Sequence, residues 1–223
     1  DLHSFPTRRS SDLRTLNELL PEVFALTRET ARRILGLRAF NVQLQGAIAA
    51  HEGKIVEMKT GEGKTLTILF PAVLNALSGK GVHVITTNDY LAERDAKWME
   101  PVYKMLGLTV NYITSTTNHF DRKVAYYSDI TYVTNNEVGF DFLRDNMVYE
   151  ERNCCQRNFN YAIVDEADSV LIDEAQIPLV IAENKDNCSK DIAFYKKVKK
   201  AVASLIPERS EEHTSELQSH ELI

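Results

Sequence analysis

The sequence predicts an α/β fold in which a parallel sheet is covered by helices on both faces. Two observations lead there. Short apolar segments of strand length alternate with helix-length segments across residues 54–164, the order a parallel sheet needs because each parallel pair requires a crossover. A Gly-rich turn closes the first strand, and a pair of acids closes the last. Ligands of open α/β sheets bind at such carboxyl ends.

The elements follow in order. Residues 15–35 carry apolar positions at helical spacing, with Pro21 placed to open a helix and Gly36 to close it. Residues 41–50 suggest a second short helix. Lys54–Met58 reads as a strand, then the turn, then an apolar helix over 64–77. Val82–Thr86, Leu108–Ile113, Ile130–Val133 and Tyr161–Val164 read as further strands. Tyr90–Leu106, Asp121–Tyr127 and Glu137–Asn146 read as the intervening helices. This makes five strands. No internal repeat is visible.

Composition narrows the class. The chain has 223 residues, 43% hydrophobic and 26% charged, with 9 Gly and 6 Pro, which excludes collagen-like and wholly disordered chains. A net charge of −6 disfavours a nucleic-acid groove. No apolar run approaches the ~18 residues of a membrane helix, and none near the start reads as a secretory signal. Cys154, Cys155 and Cys188 are odd in number and lack CxxC spacing, against a disulfide framework or zinc site. A reduced, soluble, cytoplasmic chain is the expectation.

The two ends differ from the middle. Residues 1–13 (DLHSFPTRRSSDL) and 209–220 (RSEEHTSELQSH) are polar and show no sustained periodicity. Solvated tails are one reading. The favoured one is that 1–13 and 209–223 are translated sequencing-adapter oligonucleotides, foreign to the protein and excluded from fold reasoning. Residues 183–191 are polar and read as a linker or a domain edge.

The chemistry centres on Thr60-Gly61-Glu62-Gly63-Lys64-Thr65. After a strand and opening a helix, this string reads as a phosphate-binding loop. The glycines let backbone N–H groups approach phosphate oxygens at a helix N-terminus. Lys64 can reach the β- and γ-phosphates, and the Thr65 hydroxyl can hold magnesium. Met58 stands where the strict motif has Gly. The bland alternative is a Gly-rich turn with an exposed lysine. Asp165 and Glu166, after the strand Tyr161–Val164, supply the second signal: Asp165 to orient magnesium, Glu166 to activate the attacking water. Alone, two such acids are more often a turn or a helix cap. Upstream, Phe40 can stack on a purine and Gln43 can read an adenine edge with its amide. Helix capping is as good a reading of Gln43 on the residues alone. Lys196–Lys200, the Cys154-Cys155 pair and Trp98 read as a solvated helix face, inert thiols and packing, respectively.

Taken together, FNVQL (40–44), EMKTGEGKTL (57–66), GKGVHVITTNDYLAERD (79–95), TNNEVGFDFLRDN (134–146) and DEADSVLIDEAQIPLVIA (165–182) resemble the SecA family, the ATP-driven motor of bacterial protein export. The resemblance runs from about Arg14 to Ala182 and accounts for Met58, which is the family's own form of the loop. It implies a RecA-like P-loop NTPase fold of the helicase superfamily 2 type. It also implies that residues 14–182 are the first nucleotide-binding (DEAD motor) domain, incomplete, and that 183–208 begin a preprotein-binding insertion. ATP and magnesium are the implied cofactors. Implied partners are the Sec translocon channel, unfolded preproteins, an anionic membrane surface and a second copy in a homodimer, with no nucleic acid. The implied location is the cytoplasm, peripheral on the cytoplasmic face of the inner membrane. The isolated piece is expected to be almost inactive as a protein-secreting ATPase. Asn41, Gln176-Ile177 and Ala182-Glu183 depart from the family's Asp, Arg-Thr and Ser-Gly. A DEAD-type RNA helicase is the alternative, since Asp165–Asp168 spells DEAD, but Thr87–Leu91 replaces the helicase Pro-Thr-Arg-Glu-Leu. A nucleotide-binding module without turnover is the third reading.

Overall fold

A computed structural model describes residues 15–177, 179–181 and 195–200. The chain divides into two units, 1–180 and 181–223. In the second, residues 195–200 form a helical turn whose side chains are exposed, as expected for the lysine-rich string. The two end strings, residues 183–194 and residues 201–208 lie outside the described residues.

The first unit opens with α1 (Leu16–Leu35). Thr15 caps it reciprocally: its hydroxyl accepts from Glu18 N–H, and the Glu18 carboxylate accepts from Thr15 N–H at 2.8 Å. The helix therefore starts before Pro21, which sits inside it instead of opening it. Gly36 ends it in the left-handed conformation (φ 70°). Then come α2 (Asn41–His51), α3 (Lys64–Ala76), β1 (Val82–Thr86), α4 (Asp89–Met105), β2 (Val110–Ile113), α5 (His119–Tyr126), β3 (Ile130–Thr134), α6 (Asn135–Asp145) and β4 (Tyr161–Val164).

The four strands form a parallel sheet in the order β2-β3-β1-β4. Successive side chains on a strand point to opposite faces, and the burial follows that period. Val82, Val84, Ile130 and Tyr132 join the core built with α1, α3 and α4, where the Phe24 and Phe70 rings meet at a tilt with centroids 5.3 Å apart. Ile85 and Val133 join the opposite core with Ala125, Tyr126, Val138 and Cys155. His83 also points that way, between the rings of Tyr126 and Phe159. Helices thus cover both faces, as expected.

The fifth strand is not formed. Lys54–Met58 is irregular and joins no ladder. β4 is the sheet edge, and between its outer side and this segment lies a cleft of about 740 Å³. The segment pairs with no strand among the described residues, and Ile55 is almost fully exposed.

The string 134–146 owes its structure to a buried charge network. The Arg122 guanidinium, from α5, donates to Asp141 at 2.9 Å and meets Glu137 at 2.6 Å. Tyr126 Oη and Arg144 also donate to Asp141, which is 1% exposed. Burial works against the Arg122 charge, but its hydrogen bonds to the Asp141 and Glu137 carboxylates outweigh it and leave its pKa raised. Asp145 then accepts from the N–H groups of Cys155 and Gln156, pinning the loop that leads into β4.

Candidate nucleotide site

The loop before α3 is shaped by two left-handed glycines, Gly61 (φ 85°) and Gly63 (φ 81°). Gly63 is the N-cap of α3, and no side chain caps that helix end. Its first N–H groups therefore point outward at the positive end of the helix dipole, the arrangement that binds phosphate. Glu62 braces the loop from within: its carboxylate accepts from Lys59 N–H at 2.8 Å.

Gln43 is buried against this loop. Its Oε1 accepts from Phe40 N–H and its Nε2 donates to the Glu62 carbonyl, both at 2.8 Å. One amide thus caps α2 and holds the phosphate loop. A Cβ at Gly63 would stand 2.4 Å from Gln43 Nε2, so the contact requires glycine as well as the positive φ. Phe40 is 72% exposed beside it.

The acid pair sits at the carboxyl end of β4. Asp165 N–H donates to the Ile85 carbonyl at 2.9 Å, continuing the β1–β4 ladder by one residue. Asp165 Oδ1 accepts from Glu166 N–H at 3.0 Å. Burial pushes the Asp165 carboxyl above its ordinary pKa and outweighs the opposing pull of that N–H and of the Lys64 ammonium. Glu166 has φ 53° and accepts from Thr87 Oγ1 at 3.2 Å.

Lys64, Asp165 and Glu166 line the same cleft, with Met58, Asp168 and Leu171. The structure therefore brings together residues a hundred positions apart. Thr60, Gly61, Glu62, Gly63 and Thr65 form the loop and first helical turn leading to that wall, while Phe40 and Gln43 flank the loop on its α2 side. Among the described residues no cluster of three His, Cys, Asp or Glu could hold a metal by itself. One residue and one contact are not legible in the sequence. Thr87 lies in strings that carry the family resemblance and the helicase mismatch but no site role, and the Gln43–Glu62 tie joins two candidate residues with no shared motif.

The chain matches the SecA DEAD-like domain over residues 2–222. The chain belongs to this family. It is 53% identical over 208 residues to the protein translocase subunit SecA of Lawsonia intracellularis, covering 93% of this chain and 25% of that one. It is 60% identical over 171 residues to the SecA of Alcanivorax borkumensis, covering 77% and 19%. The chain thus spans about a quarter or less of the length of these SecA relatives. Among solved structures it resembles the RNA helicase Prp28 from Chaetomium thermophilum bound to ADP, with TM-score 0.51 and 21% identity over 72% of this chain and 41% of that one. A hypothetical ATP-dependent RNA helicase from Sulfolobus tokodaii gives 0.50 and 22% over 68% and 45%. These neighbours share the α/β RecA-like fold. No described helix of this chain is long and apolar enough to cross a membrane.

Proposed function

We propose that residues 14–182 form one wall of the ATP site of a SecA-type protein-secreting ATPase. The observation that carries this is the convergence of Lys64, Asp165 and Glu166 on one cleft in a chain of this family. The uncapped N-terminus of α3 and the left-handed glycines receive the phosphates, and Lys64 neutralises the β- and γ-oxygens. Magnesium fits here: it keeps several waters and takes few protein ligands besides phosphate, so the Thr65 hydroxyl and the Asp165 carboxylate suffice. When bound, it neutralises charge on the phosphate oxygens. Glu166 orients the attacking water and accepts its proton. Phe40 stacks on the base, and Gln43 reads it by exchanging an internal amide contact for the adenine edge, which favours ATP over GTP.

The substrates and partners are those of the family: unfolded preproteins, the Sec translocon channel and an anionic membrane surface, at the cytoplasmic face of the bacterial inner membrane. Residues 183–208 lead toward a preprotein-binding insertion. The opposite wall of the site, with the cation that stabilises the transferring phosphoryl group, belongs to a second motor half. Such a residue is typically worth ~10³–10⁵ in rate, so residues 14–208 alone turn over almost no ATP. The test is phosphate release by this piece with and without a SecA second motor half added in trans. Stimulation on addition is expected. Robust turnover without it would overturn the split site, and none with it would favour a nucleotide-binding module.

A further inference from the structure

Glu166 is the one non-glycine residue with positive φ among the described residues (φ 53°). A glutamate keeps that conformation only where the chain on both sides over-determines it. On the N-terminal side β4 does so, through the Asp165–Ile85 hydrogen bond. On the C-terminal side the chain runs into a π-turn, Ser169–Asp173. The turn is tied back to Glu166 by Val170 N–H on the Glu166 carbonyl at 3.1 Å, and forward by Glu174 N–H on the Ser169 carbonyl at 3.0 Å. Beyond residue 170, every described residue through 180 is exposed except Glu174 and Leu179. Both of these meet α6. The Asn135 amide donates to the Glu174 carboxylate. Leu179 lies so close over Gly139 that a Cβ there would stand 2.4 Å from Leu179 Cδ1. Asn135 Oδ1 is buried without a hydrogen-bond partner, so the bond to Glu174 is what orients this amide.

We infer that Asn135 and Gly139 are positioning residues for Glu166: they form a seat on α6 that anchors the far end of the π-turn and so holds the glutamate in its left-handed, water-directing pose. The inference rests on the role proposed for Glu166. If the seat opens, the π-turn loses its second anchor, and Glu166 can relax to an ordinary φ and leave the phosphate side of the cleft. Nucleotide binding, carried by α3 and its loop, does not pass through the seat.

The experiment has two arms. In a full-length translocase containing residues 15–181, Asn135→Asp places two carboxylates face to face. It is expected to lower kcat ~10–100-fold, as misplacement of a reacting group does, with KM for ATP within about twofold. Adding Glu174→Gln restores an amide–carboxylate pair of opposite sense, and kcat should recover most of the loss. In the 223-residue chain, hydrogen exchange of peptides within 166–177 should speed up in Asn135→Asp and slow again in the double variant, with β1 and β3 unchanged. If Asn135→Asp fails to fold, Leu179→Ala opens the same seat and should show the same split between kcat and KM. Faster exchange with unchanged kcat overturns the inference, and so does a loss of kcat that the double variant does not recover. Glu166→Gln is the separate control: normal hydrolysis in that variant overturns the role of Glu166 itself, whatever the seat variants do.

Discussion

His83 makes the stability of this fold depend on pH in a calculable way. It lies inside β1, 3% exposed, with its ring against Tyr126 and Phe159 at 5.8 and 5.5 Å. Its Nε2 has no hydrogen-bond partner. Burial, aided by the positive charge of Arg157, lowers its pKa from 6.5 to about 4. The folded state therefore holds a neutral imidazole where the unfolded chain would bind a proton. Between pH 6.5 and 4 the unfolded state carries more protons, so stability falls as pH falls across that window. At 1.36 kcal/mol per pKa unit, the loss attributable to this one ring is roughly 2 kcal/mol by pH 5 and about 3 kcal/mol once both states are protonated. That is a large share of a typical domain's stability. The assay is urea unfolding of the 223-residue chain at several pH values from 7.5 to 4.5, beside His83→Phe and His83→Leu. Carboxylates titrate alike in all three, so the difference in slope isolates the imidazole. The variants should lose roughly 2 kcal/mol less than the parent between pH 7.5 and 5. Parallel curves would refute the reasoning and mean that His83 takes up its proton in the folded state.

Three further outcomes follow from the geometry. Asp141→Leu leaves buried Arg122 paired with Glu137 alone and takes the acceptor from Tyr126 Oη, so it should cost about 1–3 kcal/mol, as leaving buried donors without a partner does, read by urea unfolding; a loss well under 1 kcal/mol would mean the network is solvated. Gly63→Ala forces a Cβ onto Gln43 and a strained φ, so it should weaken nucleotide binding while leaving the far-ultraviolet circular dichroism unchanged, because the clash lies in a loop; unchanged affinity would show that the loop adjusts freely. Lys64→Ala in a full-length translocase should lower ATP turnover ~10²-fold or more, on the order of losing a key charge stabiliser, with melting temperature preserved; near-normal turnover would reject its assignment to the phosphates.

How far the sequence could be read depended on where its signals are local. Short apolar runs place β1 and β4 residue for residue, since Val82–Thr86 follows the Gly-containing turn 78–81 and Tyr161–Val164 ends at Asp165-Glu166, which leaves each too short for a helix. Helix ends were legible where a cap is encoded, as at Gly36. They were misread at Pro21, because the Thr15–Glu18 capping box lies upstream of the proline and starts the helix earlier. Lys54–Met58 has strand-like residues, but a strand is a property of a pair, and this segment joins none of the described ladders. In the candidate site, the Gly-rich turn before α3 and the acid pair after β4 stand out in the sequence because each is a short contiguous string at the end of an element. The Gln43–Glu62 tie, the Thr87 contact and the α6 seat do not, because each joins residues through side-chain geometry that only the fold creates.

The central claim is that Glu166 serves the reaction while the loop at Lys64 serves binding. The most direct test is a pair of measurements on Glu166→Gln in a full-length translocase containing residues 15–181: equilibrium affinity for a fluorescent ATP analogue with magnesium, and single-turnover phosphate release. The substitution keeps the side chain's size and its ability to accept from Thr87 but removes the carboxylate. Affinity within about threefold of the parent, with phosphate release slowed ~10²-fold or more, is the expected result. Phosphate release at the parent rate, or affinity and release falling together, would contradict it.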